Sequence, residues 1–353
     1  MNTADMLFGP LFFEKNRVFR IYTGGALFSD FFGDDSTDGF FPEEWVASSV
    51  KALNKETHGK REGVSRIEGT ELWFDDLLKQ YPHELLGERS DFGVLTKILD
   101  SAVRLPVQAH PNKTYSRRYF QSDYGKAESW VVLATRPNAR LYFGFKHALN
   151  KKEFAAAVEK SNIDKNAMVH LLNEVPVKPG DVFFVPACMV HAIGEGCLIL
   201  EVQEPSDFTI QPEHWCADYR LSEREMYIGL EPDIALDVFD YDVYGEAAIA
   251  RGRRLPKPIE QRENFLREAL ISYDDTPCFA VERCTLKTGE YTPEQAPAVY
   301  VVINGKGEIT WKNGSRRLKK GDYFFLPYSA GGSVRISTDD RLQWVSCLPP
   351  QNG

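Results

Sequence analysis

The sequence predicts a mainly β protein, built from two related β-barrels with helical insertions. Short apolar strands that end at glycine or proline dominate residues 105–203 and again residues 298–336. Two segments also repeat in register: "KPGDVFFVPACMVHAI" and "KKGDYFFLPYSAGGSV" share a lysine, a Gly-Asp pair, two aromatic residues and a proline. Gly321 follows Gly180 by 141 positions. This spacing indicates one structural unit that the chain uses twice.

The first copy of the repeated segment contains a histidine, His191, which the second copy lacks. We therefore expect an N-terminal domain, residues 1–255, that binds a metal ion, and a C-terminal domain, residues 256–353, without one. The basic and proline-containing segment "RGRRLPKP", residues 251–258, is predicted to connect the two domains.

Three helical insertions are predicted in the N-terminal domain, near residues 66–90, 150–175 and 222–240. In the first, "TELWFDDLLKQYPHELLG", Thr70 is the predicted N-cap, Pro82 interrupts the helical period and Gly87 is the stop signal. The other two begin with capping-box pairs, Asn150 with Glu153 and Ser222 with Glu225.

Composition excludes several classes of protein. The 353 residues carry a formal net charge of -9, so general electrostatic attraction to nucleic acid or anionic lipid is not expected. The six cysteines form no Cys-x-x-Cys pair, and no run of 18 apolar residues occurs. The first twenty residues do not have the pattern of a signal peptide. We expect a soluble, cytoplasmic protein that is monomeric by default.

Four polar side chains in apolar strand surroundings are candidate metal ligands. Gln108 and His110 lie two apart in "LPVQAHP", so on a strand they face the same way. Glu128 opens the apolar strand "ESWVVL", and His191 lies five positions after Pro186. One carboxylate, two imidazoles and an amide oxygen suit zinc, and manganese or iron would also fit. Each residue alone has an ordinary structural explanation; the combination favours a metal site.

These residues lie in motifs that resemble a known family. "GDVFFVPACMVHAIGEG" is similar to the second cupin motif, with Cys188 where glycine is usual. Together with "VQAHP", "GKAESWVVL" and "KKGDYFFLP", it resembles the type I mannose-6-phosphate isomerases over most of the chain. The resemblance implies two cupin (jelly-roll) barrels, of which the second is free of metal. It also implies one zinc ion per chain, at positions that match Gln108, His110, Glu128 and His191.

The resemblance further implies aldose–ketose isomerisation of a small sugar phosphate, mannose 6-phosphate to fructose 6-phosphate, by proton transfer between C1 and C2 through an enediol. That reaction needs a base and an electrophile. Lys126 and Glu201 match family active-site positions and are the candidates for proton transfer. Lys97 also matches such a position, as a contact to an anion or a hydroxyl group.

Two departures from the family pattern fall where substrate would bind. The family usually has arginine where this chain has Gln211, and serine where it has Pro106. A neutral amide cannot replace the charge of a guanidinium or its bidentate grip on an anion. We therefore expect metal-assisted chemistry with a rebuilt or relaxed recognition of phosphate. Arg220, Lys97 or Arg117 could then supply positive charge instead.

Two alternatives stay open at this stage. One is an isomerase of another aldose, with or without phosphate, which the change to Gln211 would favour. The other is a non-catalytic cupin that binds sugar. The ionisable pair Lys126 and Glu201 argues against the second alternative, because a pure binding site gains nothing from a buried base.

Overall fold

The computed structural model describes residues 6–55, 58–59, 61–294 and 296–351. Its strands are β1 (Arg17–Val18), β2 (Glu43–Val46), β3 (Leu95–Asp100), β4 (Glu128–Thr135), β5 (Arg140–Phe145), β6 (Leu172–Pro176), β7 (Val182–Val185), β8 (His191–Ile193), β9 (Cys197–Gln203), β10 (Trp215–Cys216), β11 (Tyr219–Arg220), β12 (Arg253–Arg254), β13 (Lys257–Arg262), β14 (Phe265–Ile271), β15 (Ala280–Leu286), β16 (Gly289–Tyr291), β17 (Ala298–Trp311), β18 (Gly314–Lys319), β19 (Tyr323–Leu326), β20 (Arg335–Thr338) and β21 (Leu342–Leu348). Its α-helices are Ala26–Phe32, Phe74–Gln80, Pro82–Leu86, Lys113–Phe120, Lys151–Ser161, Glu223–Tyr227, Pro232–Ala235 and Gly245–Gly252, with 3-10 turns at Val169–Leu171, Leu236–Val238 and Tyr328–Ala330. The predicted mainly β class is confirmed.

Two antiparallel systems of strands divide the chain. In the first, a seven-stranded sheet has the order β1-β2-β3-β9-β4-β7-β12 and faces a three-stranded sheet, β6-β5-β8. We call this system the first barrel. In the second, β13-β14-β15-β21-β17-β20-β16 form one path, with β18 and β19 paired to β17. We call this system the second barrel. The domain boundary after residue 255 stays a prediction.

Strand alternation gives the large sheet of the first barrel two different faces. Val131, Leu198 and Leu200 pack into one apolar cluster together with Val299 and Val345 of the second barrel. The residues between them point the other way, into the first barrel, because successive side chains of a strand face opposite sides. The two sheets thus pack against each other through aliphatic side chains.

The repeated segment forms the same turn in both barrels. Gly180 and Gly321 have φ of 95° and 90°, a left-handed conformation that glycine adopts without strain. The aspartate after each glycine accepts a hydrogen bond from a lysine N–H, at 3.0 Å for Asp181 and 2.8 Å for Asp322. β7 and β19 follow directly. The register read from the sequence is therefore confirmed in three dimensions.

Helix starts were predicted with mixed success. The capping boxes at Asn150 and Ser222 are both present. Thr70, however, is not an N-cap: the helix begins at Phe74, and the Thr70 side chain instead closes a turn by accepting from the N–H of Leu72 at 3.1 Å. Hydrogen bonding within this turn competes with helix formation.

The segment 251–258 is also not a simple connector. Its first residues end a helix, Gly245–Gly252. Arg253 and Arg254 then pair with β7 as the edge of the first sheet, and Lys257 starts β13 at the edge of the second. The chain passes between the two barrels here with almost no loop. Among the described residues, no helix is long and apolar enough to cross a membrane.

Candidate active site

Four neighbouring strands aim polar side chains into the first barrel. Glu43 of β2, Lys97 of β3, Glu201 of β9 and Glu128 of β4 are each 4% exposed or less. Lys97 pairs with Glu201 in register. The intervening residues pack outward into the apolar cluster between the barrels. Buried charges at interior positions are costly unless they are paired or bind a ligand, so this face of the sheet is the candidate site.

Three of the four predicted metal ligands form one compact group. Nε2 of His110 lies 3.2 Å from Oε2 of Glu128, and Nε2 of His191 lies 3.5 Å from Oε1 of the same carboxylate. One ligand atom from each residue falls within 4.8 Å of the others, and all three residues are buried. We call these three residues the His-Glu-His group. Side chains 81 positions apart in the chain thus converge on one point, as the sequence predicted.

Both histidines are oriented by main-chain carbonyls. Nδ1 of His110 lies 3.0 Å from the carbonyl of Phe208, and Nδ1 of His191 lies 2.8 Å from that of Met189. Because a carbonyl only accepts, each Nδ1 carries the proton and each Nε2 presents a lone pair. Burial lowers the pKa of both imidazoles, that of His191 to about 3. Neutral imidazoles whose Nε2 carries a lone pair are the form that binds a metal.

The polar atoms at the centre of the group fit a cation. Within the described part of the chain, both oxygens of Glu128 and Nε2 of His191 are buried without a well-formed hydrogen bond. Burial acts to raise the pKa of Glu128, but Lys126 and His110 hold it well below its usual range, so the carboxylate is charged. Converging lone pairs around a buried anion are what a divalent metal ion would satisfy.

Gln108 and Lys126 flank the His-Glu-His group. The backbone of Gln108 exchanges two 2.9 Å hydrogen bonds with that of His191, and its side chain lines the neighbouring cleft. Nζ of Lys126 lies 3.2 Å from Oε2 of Glu128 and 3.0 Å from Nε2 of His110. The amide is therefore beside the group, and the ammonium is in direct contact with it.

A cleft of about 650 Å³ leads to these residues and is lined by Lys126, Gln108 and Glu201. Oε1 of Glu201 is 3.3 Å from Nζ of Lys97. Burial raises the pKa of Glu201, the Glu128 carboxylate adds to the rise, and Lys97 opposes it. A buried carboxylate whose pKa is shifted upward suits general acid–base catalysis near neutral pH.

Of the predicted substrate contacts, Gln211 lies at the cleft and Arg220 does not. Gln211 lines the cleft, and its Nε2 donates to the carbonyl of Glu225 at 3.1 Å. Arg220 does not line the cleft: its guanidinium stacks on Trp215 and donates to Asn162 at the surface. Its strand is an isolated two-residue ribbon that turns the side chain outward.

Arg117 also lies outside the cleft, in an exposed ion pair with Asp123. The structure thus brings neither Arg220 nor Arg117 to the cleft, and their role as substrate contacts stays a prediction. Pro106, by contrast, is one of the lining residues.

Several cleft residues were missed in the sequence. Arg20, Glu43 and Asp207 form a buried ionic cluster next to Lys97. The signal for Glu43 was available: "PEEWVA" puts two consecutive carboxylates in an apolar strand, where each must have a partner. Lys55 and Arg224 line the cleft from loop and helix positions that show no apolar pattern.

Cys188 has an unusual backbone for its residue type. Its φ is 72°, in the left-handed region where the cupin motif has glycine. Its N–H donates to the carbonyl of His110 at 2.8 Å. The turn that delivers His191 to the site therefore uses a left-handed backbone at a residue that is not glycine.

No protein-family model matches the chain. It is 30% identical to the mannose-6-phosphate isomerase ManA of Bacillus subtilis (strain 168), over 94% of this chain and 95% of that protein. It is also 30% identical to the mannose-6-phosphate isomerase of Streptococcus mutans serotype c, over 90% and 92%.

Solved structures agree on the fold. The crystal structure of the mannose 6-phosphate isomerase from Bacillus subtilis matches with a TM-score of 0.76 and 22% identity, covering 96% of this chain and 99% of that one. A mutant of the phosphomannose isomerase from Salmonella typhimurium matches with a TM-score of 0.71 and 15% identity, covering 97% and 100%. At these identities the likeness speaks for the fold alone, and it confirms the predicted fold class.

Proposed function

The chain belongs to the mannose-6-phosphate isomerase family, and we propose that it interconverts mannose 6-phosphate and fructose 6-phosphate with the help of one bound metal ion. The observation that carries the proposal is the His-Glu-His group, buried beneath a cleft large enough for a hexose phosphate. Membership of the family makes the chain an isomerase of sugar phosphates; the particular hexose and the metal are the proposed part.

His110, Glu128 and His191 would hold the metal, with the amide oxygen of Gln108 as the fourth ligand. Zinc suits the two imidazole nitrogens and the carboxylate, and another divalent first-row metal is the alternative. A bound cation of this kind supplies Lewis acidity towards a sugar oxygen. The main-chain carbonyls behind both histidines support the assignment, because they fix the tautomer that leaves Nε2 available.

Glu201 is proposed to move the proton between C1 and C2 of the open-chain sugar. It lines the cleft, it is buried, and burial raises its pKa towards the range where it can both take and return a proton. Lys126, which touches Glu128 and His110, is proposed to stabilise negative charge that develops on the sugar oxygen nearest the His-Glu-His group.

The phosphate is proposed to bind at the outer end of the cleft. Lys55 and Arg224 line the cleft there and are exposed at its rim. Among the described residues neither has an ion-pair partner within 4.0 Å, although Lys55 acts at longer range on Glu225 and helps to lower its pKa; both could therefore contact an anion. Lys55 and Arg224 would supply the positive charge that the family's arginine provides at the position of Gln211. Because Gln211 is neutral and bonded to Glu225, it would contact sugar hydroxyl groups rather than phosphate.

A coupled isomerase assay tests the proposal. Mannose 6-phosphate, glucose 6-phosphate and unphosphorylated mannose should be compared with and without a chelator, together with elemental analysis of the protein. We expect turnover of mannose 6-phosphate that is lost with the chelator and restored by a divalent metal, and one metal ion per chain. Equal kcat/KM for mannose and its phosphate would contradict the phosphate assignment, and unimpaired turnover in the metal-free protein would contradict the metal.

A further inference from the structure

Beside the proposed catalytic pair lies a buried ionic cluster that the reaction itself does not use. Nε of Arg20 donates to Oε1 of Glu43 at 3.0 Å. Its NH2 group donates to both oxygens of Asp207 at 3.1 and 3.2 Å, and its NH1 group donates to Asn54 at 3.0 Å. The side chain is 12% exposed. One guanidinium thus ties together three separate parts of the chain.

Both carboxylates held by Arg20 also face Lys97. Nζ of Lys97 lies 3.8 Å from Glu43 and 3.9 Å from Asp207, but 3.3 Å from Glu201. Glu43 is further fixed by 2.6 Å hydrogen bonds from the hydroxyl of Tyr22 and the indole N–H of Trp45. Lys97 is therefore surrounded by three carboxylates, and its shortest contact is the one to Glu201.

We propose that Arg20 is a positioning residue, which keeps Lys97 on Glu201 by neutralising the two competing carboxylates. This inference rests on the proposed isomerase function. Without Arg20, Lys97 would be the remaining cation within 4 Å of Glu43 and Asp207 among the described residues. Their attraction in a buried site would draw Nζ away from Glu201. Glu201 would then lose the contact that sets its orientation.

The neighbouring Arg17 offers a matched control. Its side chain is 17% exposed, and its Nε lies 2.7 Å from Oε2 of Glu44, in an ion pair that joins β1 to β2 next to the Arg20–Glu43 pair. Glu44 faces the opposite side of β2 and is bonded to Tyr323 of the second barrel. Removing either arginine breaks an ion pair with a buried glutamate of β2, Glu44 for Arg17 and Glu43 for Arg20. Of the two arginines, only Arg20 lines the cleft.

The experiment compares Arg20→Gln, Arg20→Lys and Arg17→Gln with the wild type, all with their metal content measured. We expect Arg20→Gln to lower kcat by about 10- to 100-fold, as is typical of residues that orient a functional group, with KM changed less than about threefold. Arg20→Lys should recover part of kcat, because it restores the charge without the forked geometry. Arg17→Gln should lower Tm to a similar extent and leave kcat within about twofold of wild type.

Crystal structures of the wild type and Arg20→Gln supply a readout that does not depend on turnover. The inference requires Lys97 Nζ to leave Glu201 in the variant while His110, Glu128 and His191 stay in place. It is overturned if the 3.3 Å contact persists, if Arg17→Gln loses as much kcat, or if KM rises while kcat is unchanged, which would make Arg20 a direct substrate contact. A wild-type protein that isomerises no sugar phosphate would contradict the proposed function, and the crystal structures would still decide the inference.

Discussion

The two barrels are built on one plan and have opposite interiors. In each, a valine N–H donates to the carbonyl of the turn aspartate, from Val132 to Asp181 at 2.9 Å and from Val302 to Asp322 at 2.8 Å. The two valines therefore occupy equivalent positions. Four residues before them stand Glu128 in the first barrel and Ala298 in the second.

The other site positions can be matched in the same way. His191 follows Pro186 by as many residues as Gly332 follows Pro327. Glu201 pairs with Trp130, and Ser346 pairs with the equivalent Tyr300. Glu128, His191 and Glu201 of the first barrel are thus each replaced by a small residue in the second.

The second barrel fills its interior with apolar side chains. Ala298, Tyr300, Trp344 and Ile336 belong to one buried cluster. The fold thus does not require a polar centre. Because buried charge is costly unless it is satisfied, the polar set of the first barrel is retained against stability, which is the mark of a functional site.

The strongest test of this contrast replaces Glu128 with alanine, the residue that the second barrel has at the equivalent position, Ala298. Glu128→Ala should bind no metal and show no detectable turnover, because the anion between the two histidines is gone. The protein should stay folded, since the second barrel accommodates alanine there. Elemental analysis and the coupled assay measure both effects. A variant with full metal stoichiometry would separate Glu128 from the metal site.

Glu201→Gln tests the proton-transfer role with almost no change in volume. Loss of a positioned base should lower kcat by about 10²- to 10⁴-fold, while metal content stays at the wild-type level. Ser346→Ala, at the equivalent position of the second barrel, should leave both quantities unchanged. If Glu201→Gln keeps wild-type kcat, proton transfer would pass to Lys126.

The reverse substitution, Ala298→Glu, asks whether the second barrel tolerates a carboxylate. Buried among apolar side chains, the new carboxyl group should have its pKa raised from about 4.3 to about 7, which lowers the free energy of unfolding by about 3 kcal/mol at about pH 7. Because the raised pKa belongs to the folded state, this penalty is present above that pKa. It shrinks as pH falls through the folded pKa and is gone below the unfolded one, about 4.3.

Urea unfolding at about pH 7 and about pH 4 measures the difference. Ala298→Gln is the matched control, because it has similar size and does not titrate in this range. A cost that is equal for both variants at both pH values would show that bulk, and not charge, distinguishes the two interiors.

Much of this plan could be predicted from sequence because its signals are local. The glycine turn, the apolar strand and the proline identify the repeat, and strand alternation puts Gln108 and His110 on one side. Glu128 stood out at the start of an apolar strand, and His191 stood out five positions after the proline that ends the repeated strand. The predicted convergence of Gln108, His110, Glu128 and His191 then required only that the strands close into a barrel.

What could not be predicted depends on long-range packing. The ionic cluster of Arg20, Glu43 and Asp207 joins residues that are up to 187 positions apart, and no local sequence pattern predicts such a contact. Arg220 was expected in the cleft for its charge alone, but its backbone belongs to a short ribbon that turns outward. A charged residue that is chosen for its charge alone, such as Arg220, predicts a site position less well than a charged residue within an apolar strand, such as Glu128.

The smallest expected effect concerns the turn after the repeated strand, where the barrels differ in backbone. Cys188 has φ of 72°, whereas the equivalent Ser329 lies in a 3-10 turn and has no positive φ. A Cβ in the left-handed region costs about 1 kcal/mol, so Cys188→Gly should be more stable than Cys188→Ala by that amount.

At Ser329 the order should reverse, with the glycine variant less stable than the alanine variant by about 0.5–1 kcal/mol, because glycine loses more backbone entropy in a helical turn. Both members of each pair remove the original side chain, so its contacts cancel in the comparison. Urea unfolding of the four variants gives the two differences. If alanine were more stable than glycine at both positions, the left-handed backbone at Cys188 would not carry the strain that we expect.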